Sequence, residues 1–449
     1  MLRLLLLVVY AMRETMAIDN GLARAPPLGW STWETCAGPD CAHDVCNEQE
    51  VDAAADALVS SGLHALGWKH VILDDCWAGR ARNNITGELT WDTSRFPLGI
   101  PALADRMHAR GLLLGVYTSA GDETCHGALP GSRGHYDLDA RTFAAWQVDY
   151  IKFDWYEPLR SHVQSPGRHL RKHVLCSEVL TLSGFLIRLG RCGDIKTQVW
   201  EIKKAHVAFA AAVNASGRHM AIETVAGYFG LLHEVGTVAN AFRFCVDHKD
   251  SWASTKEQIM CRLALTGLSG VPGAWPFMDL LTTGGKGCVN GTHCPGQTPD
   301  EYRTEFAVWA ITQSPMVVAT DVRHMTAVMT QTMLNAELIR MHQSTATPSG
   351  GELSHWECSE FLKCVIYGRR LSTNGSDWLL GLVNLGNHDH KITAKWKLLG
   401  WPSSKLARVR DVFAQSTWPN STSDEVVSRV PSHGTVLLRV TAVAWESGS

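Results

Sequence analysis

Acidic side chains recur at one kind of place in this 449-residue chain: the end of a short β-branched or aromatic run. Asp74 and Asp75 follow one such run, Asp154 closes another, Glu223 and Asp247 end two more, and Asp279 and Asp321 come just after the last two. A helix N-cap explains any one of these carboxylates, but together they describe a carboxylate-lined mouth. A pair of carboxyl groups with separated pKa values can run acid, base and nucleophilic steps on one bond. In Tyr150-Ile151-Lys152-Phe153-Asp154 the two-residue period of a strand puts Lys152 and Asp154 on one face. A neighbouring ammonium group keeps a carboxylate ionised, and an ionised carboxylate at such a mouth is a competent nucleophile. Asp74 and Asp75 are adjacent, so both reach one pocket only if the strand ends there. Two acceptors so placed suit a ligand that offers two hydroxyls.

The elements that must position these groups are legible from hydrophobic period. Strands are predicted at Leu28–Trp33, His70–Asp74, Leu112–Tyr117, Tyr150–Asp154, His219–Glu223, Ala241–Asp247, Gly273–Phe277 and Pro315–Thr320. Helical stretches lie between and after them at Glu48–Leu66, Ile100–Arg110, Thr142–Gln147, His206–Ala215, Lys256–Leu265, Glu301–Thr312 and Met325–His342. This alternation implies parallel βαβ units. Eight of them predict an α/β fold with an N-terminal (β/α)8 TIM barrel, a doubly wound sheet being the runner-up. In a barrel, chemistry belongs at the C-terminal strand ends, where the carboxylates are. After about residue 348 the texture changes to alternating strands with turn signals, which predicts a C-terminal antiparallel β-sandwich. The expected organisation is a barrel over 18–347 and a sandwich over 348–449, joined through Thr345–Glu352.

Composition narrows the function classes. Lys plus Arg is 41 against 44 Asp plus Glu, a net charge of −3, which excludes a basic nucleic-acid binder. The 45% hydrophobic content excludes a disordered chain. No apolar run reaches the roughly 18 residues of a membrane span. Residues 1–17, MLRLLLLVVYAMRETMA, read as a secretory signal, so the expected destination is secretion, or a lysosome or vacuole reached by the same route. Sequons at Asn84, Asn214, Asn290, Asn374 and Asn420 agree with export. Thirteen cysteines leave at least one without a partner in the chain. The crowding of Cys36, Cys41 and Cys46, and the close pairs Cys288/Cys294 and Cys358/Cys364, predict local disulfides. Without CxxC, HExxH, a P-loop or a GxGxxG after a strand, neither a metal nor a cofactor is expected. Seventeen Trp residues suit the apolar faces of sugar rings and serve a core equally well.

Longer segments carry a resemblance. Leu28-Gly29-Trp30-Ser31-Thr32-Trp33, Ile72-Leu73-Asp74-Asp75-Cys76-Trp77, Arg95-Phe96-Pro97 with Gly99-Ile100, Gly115-Val116-Tyr117, Thr124-Cys125 and Val148 to Asp154 resemble the α-galactosidases (melibiases) of glycoside hydrolase family 27. So do Asn240-Ala241-Phe242-Arg243 with Asp247, Pro272-Gly273-Ala274-Trp275, and Ser314-Pro315-Met316 with Asp321-Val322-Arg323. The resemblance implies a retaining double displacement on an α-galactoside that needs no cofactor. Asp154 would be the nucleophile and Asp247 the acid that later activates water. Asp247 would then hold a proton while Asp154 does not, Lys152 contributing to that split. Asp74 and Asp75 would hold outer hydroxyls of galactose, Trp33 would form an apolar wall, and Lys152, Tyr117, Glu223, Arg243 and Asp279 would complete the pocket. A Glu at position 223 fits a 2-hydroxyl, where members specific for N-acetylgalactosamine carry a small residue. The alternatives are an α-N-acetylgalactosaminidase or β-L-arabinopyranosidase of the same family, a catalytically impaired carbohydrate-binding homologue, and a divalent-metal hydrolase. The presence of both Asp154 and Asp247 weighs against the binding protein. The scarcity of His at the strand ends, His248 apart, weighs against the metal enzyme.

The departures from the family cluster between the fourth and sixth strands. Tyr156 replaces the Cys that would pair with Cys125, making Cys125 the candidate odd thiol. Ile222 and Ala239 replace both halves of another bridge, Thr224 to Tyr228 replaces the familiar loop, and Phe277 replaces an acidic residue. Pro158 to Lys204 exceeds the family spacing by roughly thirty residues, far beyond a usual βα loop. Either residues near 170–198 are a non-native insertion, such as an unspliced intron, or they form a lid over the site.

Overall fold

A computed structural model of the chain describes residues 18, 20–33, 35, 45–125, 129–155, 179–182, 185–188, 195–225, 235–265, 267–285, 295–359, 362–419 and 422–443. The signal segment and most of the unusual stretch after the fourth strand, apart from a short hairpin and the start of a helix, therefore lie outside the described residues.

The strands of the first sheet are β1 (Leu28–Ser31), β2 (His70–Leu73), β3 (Leu113–Ser119) and β4 (Tyr150–Asp154). A separate antiparallel pair, β5 (Val179–Leu182) and β6 (Phe185–Arg188), precedes β7 (Ala221–Thr224), β8 (Ala241–Arg243), β9 (Trp275–Phe277) and β10 (Met316–Val318). The parallel order is β10-β1-β2-β3-β4-β7-β8-β9. Its two ends meet just past β9: the Leu281 N–H donates to the Val317 carbonyl at 2.8 Å, and the Leu281 carbonyl accepts from the Ala319 N–H at 2.8 Å. The sheet is thus closed into a barrel, and the doubly wound alternative, with its open edges, is excluded.

All the predicted barrel strands form, most of them shorter than read. The largest difference is the run to Asp247, which leaves the sheet at Arg243. The disulfide Cys245–Cys261 ties the departing chain to the following helix instead. Helices α1 (Glu48–Ser60), α2 (Gly99–Ala109), α3 (Tyr136–Ala145), α4 (Ile195–Ala215), α5 (Trp252–Ala264), α6 (Pro299–Thr312), α7 (Ala327–Met333) and α8 (Ala336–Gln343) connect the strands and complete the outer layer. The expected helix to Leu66 stops at Ser60 because Gly62 turns the chain at φ +88°. The single helix expected over Met325–His342 is two, because the Asn335 side chain leaves the helical path and accepts from the Leu338 N–H at 3.0 Å as the cap of α8. α3 begins earlier than its apolar pattern suggests. Its acidic Asp139 is buried, because Arg82 grips both carboxylate oxygens at 2.6 and 2.8 Å.

Inside the barrel, Ile72, Tyr150, Ala221, Phe277, Leu280, Val317 and Ala319 form a buried layer beneath the mouth. The second sheet contains β11 (Gly351–Ser359), β12 (Leu362–Arg370) and β13 (Asp377–Asn384). β14 (His390–Lys395) lies apart from it, while β15 (Leu406–Asp411), β16 (Ser416–Thr417) and β17 (Thr422–Ser423) extend it. β18 (Glu425–Val430) pairs with β14, and β19 (Thr435–Ala442) runs between β13 and β15. Period-two alternation splits the faces of this sheet. Ile366, Leu380, Leu382, Leu438 and Val440 pack with Ile392, Trp396, Val426 and Val430 of the small sheet, closing the sandwich. Val365, Tyr367, Leu379, Val383 and Leu437 face the other way, into the barrel's own core. Contact with α6 is close enough that a Cβ on Gly381 would sit 2.7 Å from the Ile311 Cδ1. Among the described residues no helix is long and apolar enough to cross a membrane.

The described disulfides revise the local pairing expected from spacing. Cys46 joins Cys76, thirty residues on, and so pins the turn after Asp74-Asp75 to the start of α1. Cys364 is also disulfide-bonded, while Cys36, Cys41, Cys288, Cys294 and the side chain of Cys358 lie outside the described residues. Cys125 is a free, exposed thiol, as the missing partner at position 156 led us to expect. Asn84, Asn214 and Asn374 are exposed; Asn290 and Asn420 lie outside the described residues.

Candidate active site

The chemistry-bearing residues converge at the C-terminal ends of the barrel strands. Parallel register sets Tyr117 of β3 beside Lys152 of β4, and Lys152 beside Glu223 of β7. The Asp154 carboxylate accepts from the Tyr117 hydroxyl at 2.8 Å and from the Trp155 N–H at 2.7 Å, which fixes both of its oxygens. The Lys152 ammonium donates to Asp74 Oδ2 at 2.7 Å, with both side chains buried. It lies 5.6 Å from the Trp33 ring and 5.5 Å from the Tyr117 ring, within cation–π range. The second oxygen of Asp74 accepts from the Asp75 N–H at 2.8 Å, and the Thr32 hydroxyl accepts from the Asp74 N–H at 2.9 Å. The strand does end at Leu73, so the two adjacent carboxylates sit in a turn.

On the opposite side, Arg243 at the end of β8 donates to Asp247 and reaches Asp279 Oδ2 at 3.2 Å. Asp279 is a non-glycine residue at φ +71°. Trp309 Nε1 donates to its carbonyl at 3.0 Å and the His248 N–H donates to its carboxylate at 2.7 Å, so the surroundings hold this strained backbone in place. Glu223 is buried and accepts from the Tyr150 hydroxyl at 2.8 Å. Every predicted site residue lies in one of three bonded groups at this mouth: Asp154 with Tyr117, Lys152, Trp33, Asp74 and Asp75; Arg243 with Asp247 and Asp279; and Glu223 with Tyr150. Asp321 does not: it pairs with Arg323 and His324 on the rim, where Arg323 also reaches Glu50 of α1.

Electrostatics of the unliganded protein bears on two expectations. Lys152 was expected to hold Asp154 ionised through direct adjacency. Its ammonium instead reaches Asp74, and burial raises the Asp154 carboxyl above its ordinary value against the opposing pull of Lys152 and Arg243. Asp247 was expected to hold a proton. The Arg243 guanidinium beside it depresses its pKa, burial only partly opposing, and its side chain is 71% exposed on the loop beyond β8. In the unliganded protein the two carboxyls are thus biased opposite to the roles the resemblance implies. Partial desolvation at the edge of the mouth and the charges of Asp154, Asp75 and Asp247 push the Cys125 thiol up to about 11, which keeps it in the unreactive thiol form.

Sequence reasoning gave no role to Tyr150, although the same two-residue period that paired Lys152 with Asp154 puts it on their face. It also passed over the buried support behind Asp279. His248 is bonded to the Leu280 carbonyl (2.8 Å) and to the Thr255 hydroxyl (2.9 Å). Nearby, Glu305 of α6 accepts from the Thr282 N–H and from the Thr282 and Thr283 hydroxyls at 2.7–2.9 Å.

Burial raises Glu223 to about 7 and Glu305 to about 8. Both ordinarily titrate near 4.5, so the unfolded chain releases these protons at lower pH than the fold does. Stability contributed by the protonated groups is present at pH 4 and is lost as pH rises toward 7 and 8. These two groups therefore lower the melting temperature of the unliganded protein as pH rises from about 6.5 to 8, while below that the buried His206 and His342, lowered to about 4 and about 3, oppose any further gain. Glu305→Gln, which keeps an acceptor for Thr282, should flatten that decline. A Glu305→Gln profile parallel to that of the wild type would rule this explanation out.

The α-galactosidase A (melibiase) family profile matches residues 25–175 and 186–344, and the α-galactosidase C-terminal β-sandwich profile matches 363–440. The chain belongs to the α-galactosidase (melibiase) family. An α-galactosidase of Coffea arabica is 32% identical over 94% of this chain and 95% of its own length. One from Cyamopsis tetragonoloba is 31% identical over 94% of this chain and 88% of its own. The crystal structure of α-galactosidase I from Mortierella vinacea superposes with a TM-score of 0.74 at 27% identity, covering 94% of this chain and 98% of that one. The break in the melibiase match at 176–185 falls inside the stretch whose length departs from the family spacing.

Proposed function

We propose that this chain is a retaining α-galactosidase that releases terminal α-linked D-galactose by double displacement. The observation that carries this reading is the placement of Asp154: a carboxylate at the end of β4, oriented on both oxygens by Tyr117 and Trp155, in a mouth shared with Arg243 and Asp247. In the first step a carboxylate oxygen of Asp154 attacks the anomeric carbon while Asp247 passes a proton to the departing glycosidic oxygen. In the second, Asp247 takes a proton from water, which displaces Asp154 and restores the α configuration. Asp247 can act as the acid only once protonated. Arg243 opposes this in the free enzyme, and a shift of its guanidinium toward Asp279, already 3.2 Å away, relieves the opposition. Until then a depressed Asp247 demands acidic conditions, which fits a protein delivered by the secretory route to the outside, a lysosome or a vacuole. Asp74 and Asp75 provide acceptors for outer hydroxyls, Trp33 the apolar wall and Lys152 the charge that keeps the pocket neutral enough to fold. The barrel is taken as residues 18–347 and the sandwich as 348–449.

Glu223 favours galactose over N-acetylgalactosamine, because a buried carboxylate fills the space an acetamido group would need. Hydrolysis of chromogenic α-galactoside, α-N-acetylgalactosaminide and β-L-arabinopyranoside from pH 4 to 8 tests the reading. Turnover of the galactoside well above the other two, with α-galactose as the first product by NMR, is expected. Preference for either competitor, or β-galactose as the first product, overturns it.

A further inference from the structure

We propose that Tyr150 is a positioning residue for sugar recognition: its phenol holds one oxygen of Glu223 and reserves the other for a hydroxyl of the substrate. The inference rests on the galactosidase reading and adds a residue to it. Tyr150 starts β4 and pairs in register with Ala221, one layer below the Lys152–Glu223 pair. Its ring is fully buried in the barrel interior with Ile72, Phe277 and Val317, and lies 5.3 Å from the His70 ring. From there its hydroxyl reaches Glu223 Oε2 at 2.8 Å. Burial and the charge of Glu223 keep the phenol well above its ordinary pKa, so it remains a donor.

Glu223 Oε1 is buried and has no hydrogen-bond partner among the described residues. A buried carboxylate oxygen without a donor is costly, and a ligand hydroxyl supplies what it lacks. The charged groups facing Glu223 are Lys152 from β4, Arg243 from β8 and Asp279 from the loop after β9. Both cations are engaged elsewhere: Lys152 with Asp74, Arg243 with Asp247 and Asp279. Tyr150 is therefore the direct contact that sets the carboxylate's orientation. Without it the group would be free to turn toward Lys152 or Arg243 and withdraw its acceptor from the sugar.

Tyr150→Phe retains the ring in its packing and removes only the donor. On a chromogenic α-galactoside at about pH 8, above the value of about 7 to which Glu223 is raised, KM should rise on the order of tenfold with a smaller change in kcat, the size expected for one hydrogen bond to a charged group. On the matching 2-deoxy-α-galactoside, which lacks the hydroxyl assigned to Glu223, the same substitution should change kcat/KM little. In a Glu223→Gln background it should add nothing further, since its effect passes through that carboxylate. The Glu223 titration, followed through the pH dependence of galactose binding, should move upward, because the lost donor favoured the ionised form. Equal losses on both substrates, full additivity with Glu223→Gln, or an unchanged KM would overturn the role of Tyr150 alone. A wild-type protein that turns over neither galactoside would overturn the galactosidase reading, and this inference with it.

Discussion

Asp154→Asn lowers turnover of an α-galactoside by about 10⁴-fold or more, the scale of removing a covalent nucleophile, and leaves the melting temperature close to that of the wild type. The amide oxygen still accepts from the Trp155 N–H, and the amide NH2, standing where Oδ2 was, donates to the Tyr117 hydroxyl oxygen, so both contacts, at 2.7 and 2.8 Å, have a replacement, one of them reversed. What disappears is the negative charge and nucleophilicity needed to form the glycosyl-enzyme. Asp154→Gly gives a sharper check. The space it opens admits a small anion such as azide, whose single attack from the nucleophile's face should yield a β-galactosyl azide. Recovery of that product identifies the missing group as the nucleophile. Retention of more than a few per cent activity in Asp154→Asn, after contaminating wild type is excluded, would remove Asp154 from its assigned role.

Lys152→Met should damage stability and activity together. Its ammonium is held above its ordinary pKa because Asp74, Glu223, Asp154 and Asp279 together outweigh burial, which on its own lowers it. Removing one member of a buried charge pair typically costs about 3–5 kcal/mol. Here Asp74 would lose its 2.7 Å donor while remaining buried. Activity should fall by about 10²–10³-fold, as when a preorganised charge is taken from a site. The stability loss should be smaller at pH 4–5, where a buried carboxyl can take a proton, whereas the activity loss should not shrink, because without the pull of Lys152 the Asp154 nucleophile is easier to protonate. Denaturant unfolding and kcat/KM measured at two pH values would check this, and a variant as stable as the wild type at neutral pH would refute the account.

The sequence carried the barrel well because β-branched runs with polar ends repeat regularly and because each strand needs only its local pattern to form. Closure was not legible. It depends on Leu281, two residues beyond the left-handed Asp279, bonding back to Val317 and Ala319. No periodicity encodes such a contact. The site residues were legible as types and positions, whereas their pairing was not. Lys152 and Asp154 share a face, yet the long lysine side chain reaches Asp74 at the end of β2, a choice that only the closed barrel offers. The same limit applied to Cys46, whose partner lies thirty residues away, and to Asp139, whose burial is intelligible only once Arg82 is beside it. Asp247 was read as a strand end because its run is apolar. The Cys245–Cys261 bond redirects that run into a loop, leaving Asp247 exposed at the rim.

The second sheet sends Val365, Tyr367, Leu379, Val383 and Leu437 into the same apolar cluster as the barrel helix α6. That helix also supplies Glu305, the buried carboxylate bonded to Thr282 and Thr283 behind the mouth. The two lobes are therefore expected to melt as one cooperative unit, with the sheet bracing the helix that carries Glu305. Gly381→Val, which would drive atoms into Ile311 far from any sugar, should lower the single melting transition and loosen the pocket together, an inactivating lesion that a survey of the mouth alone would miss.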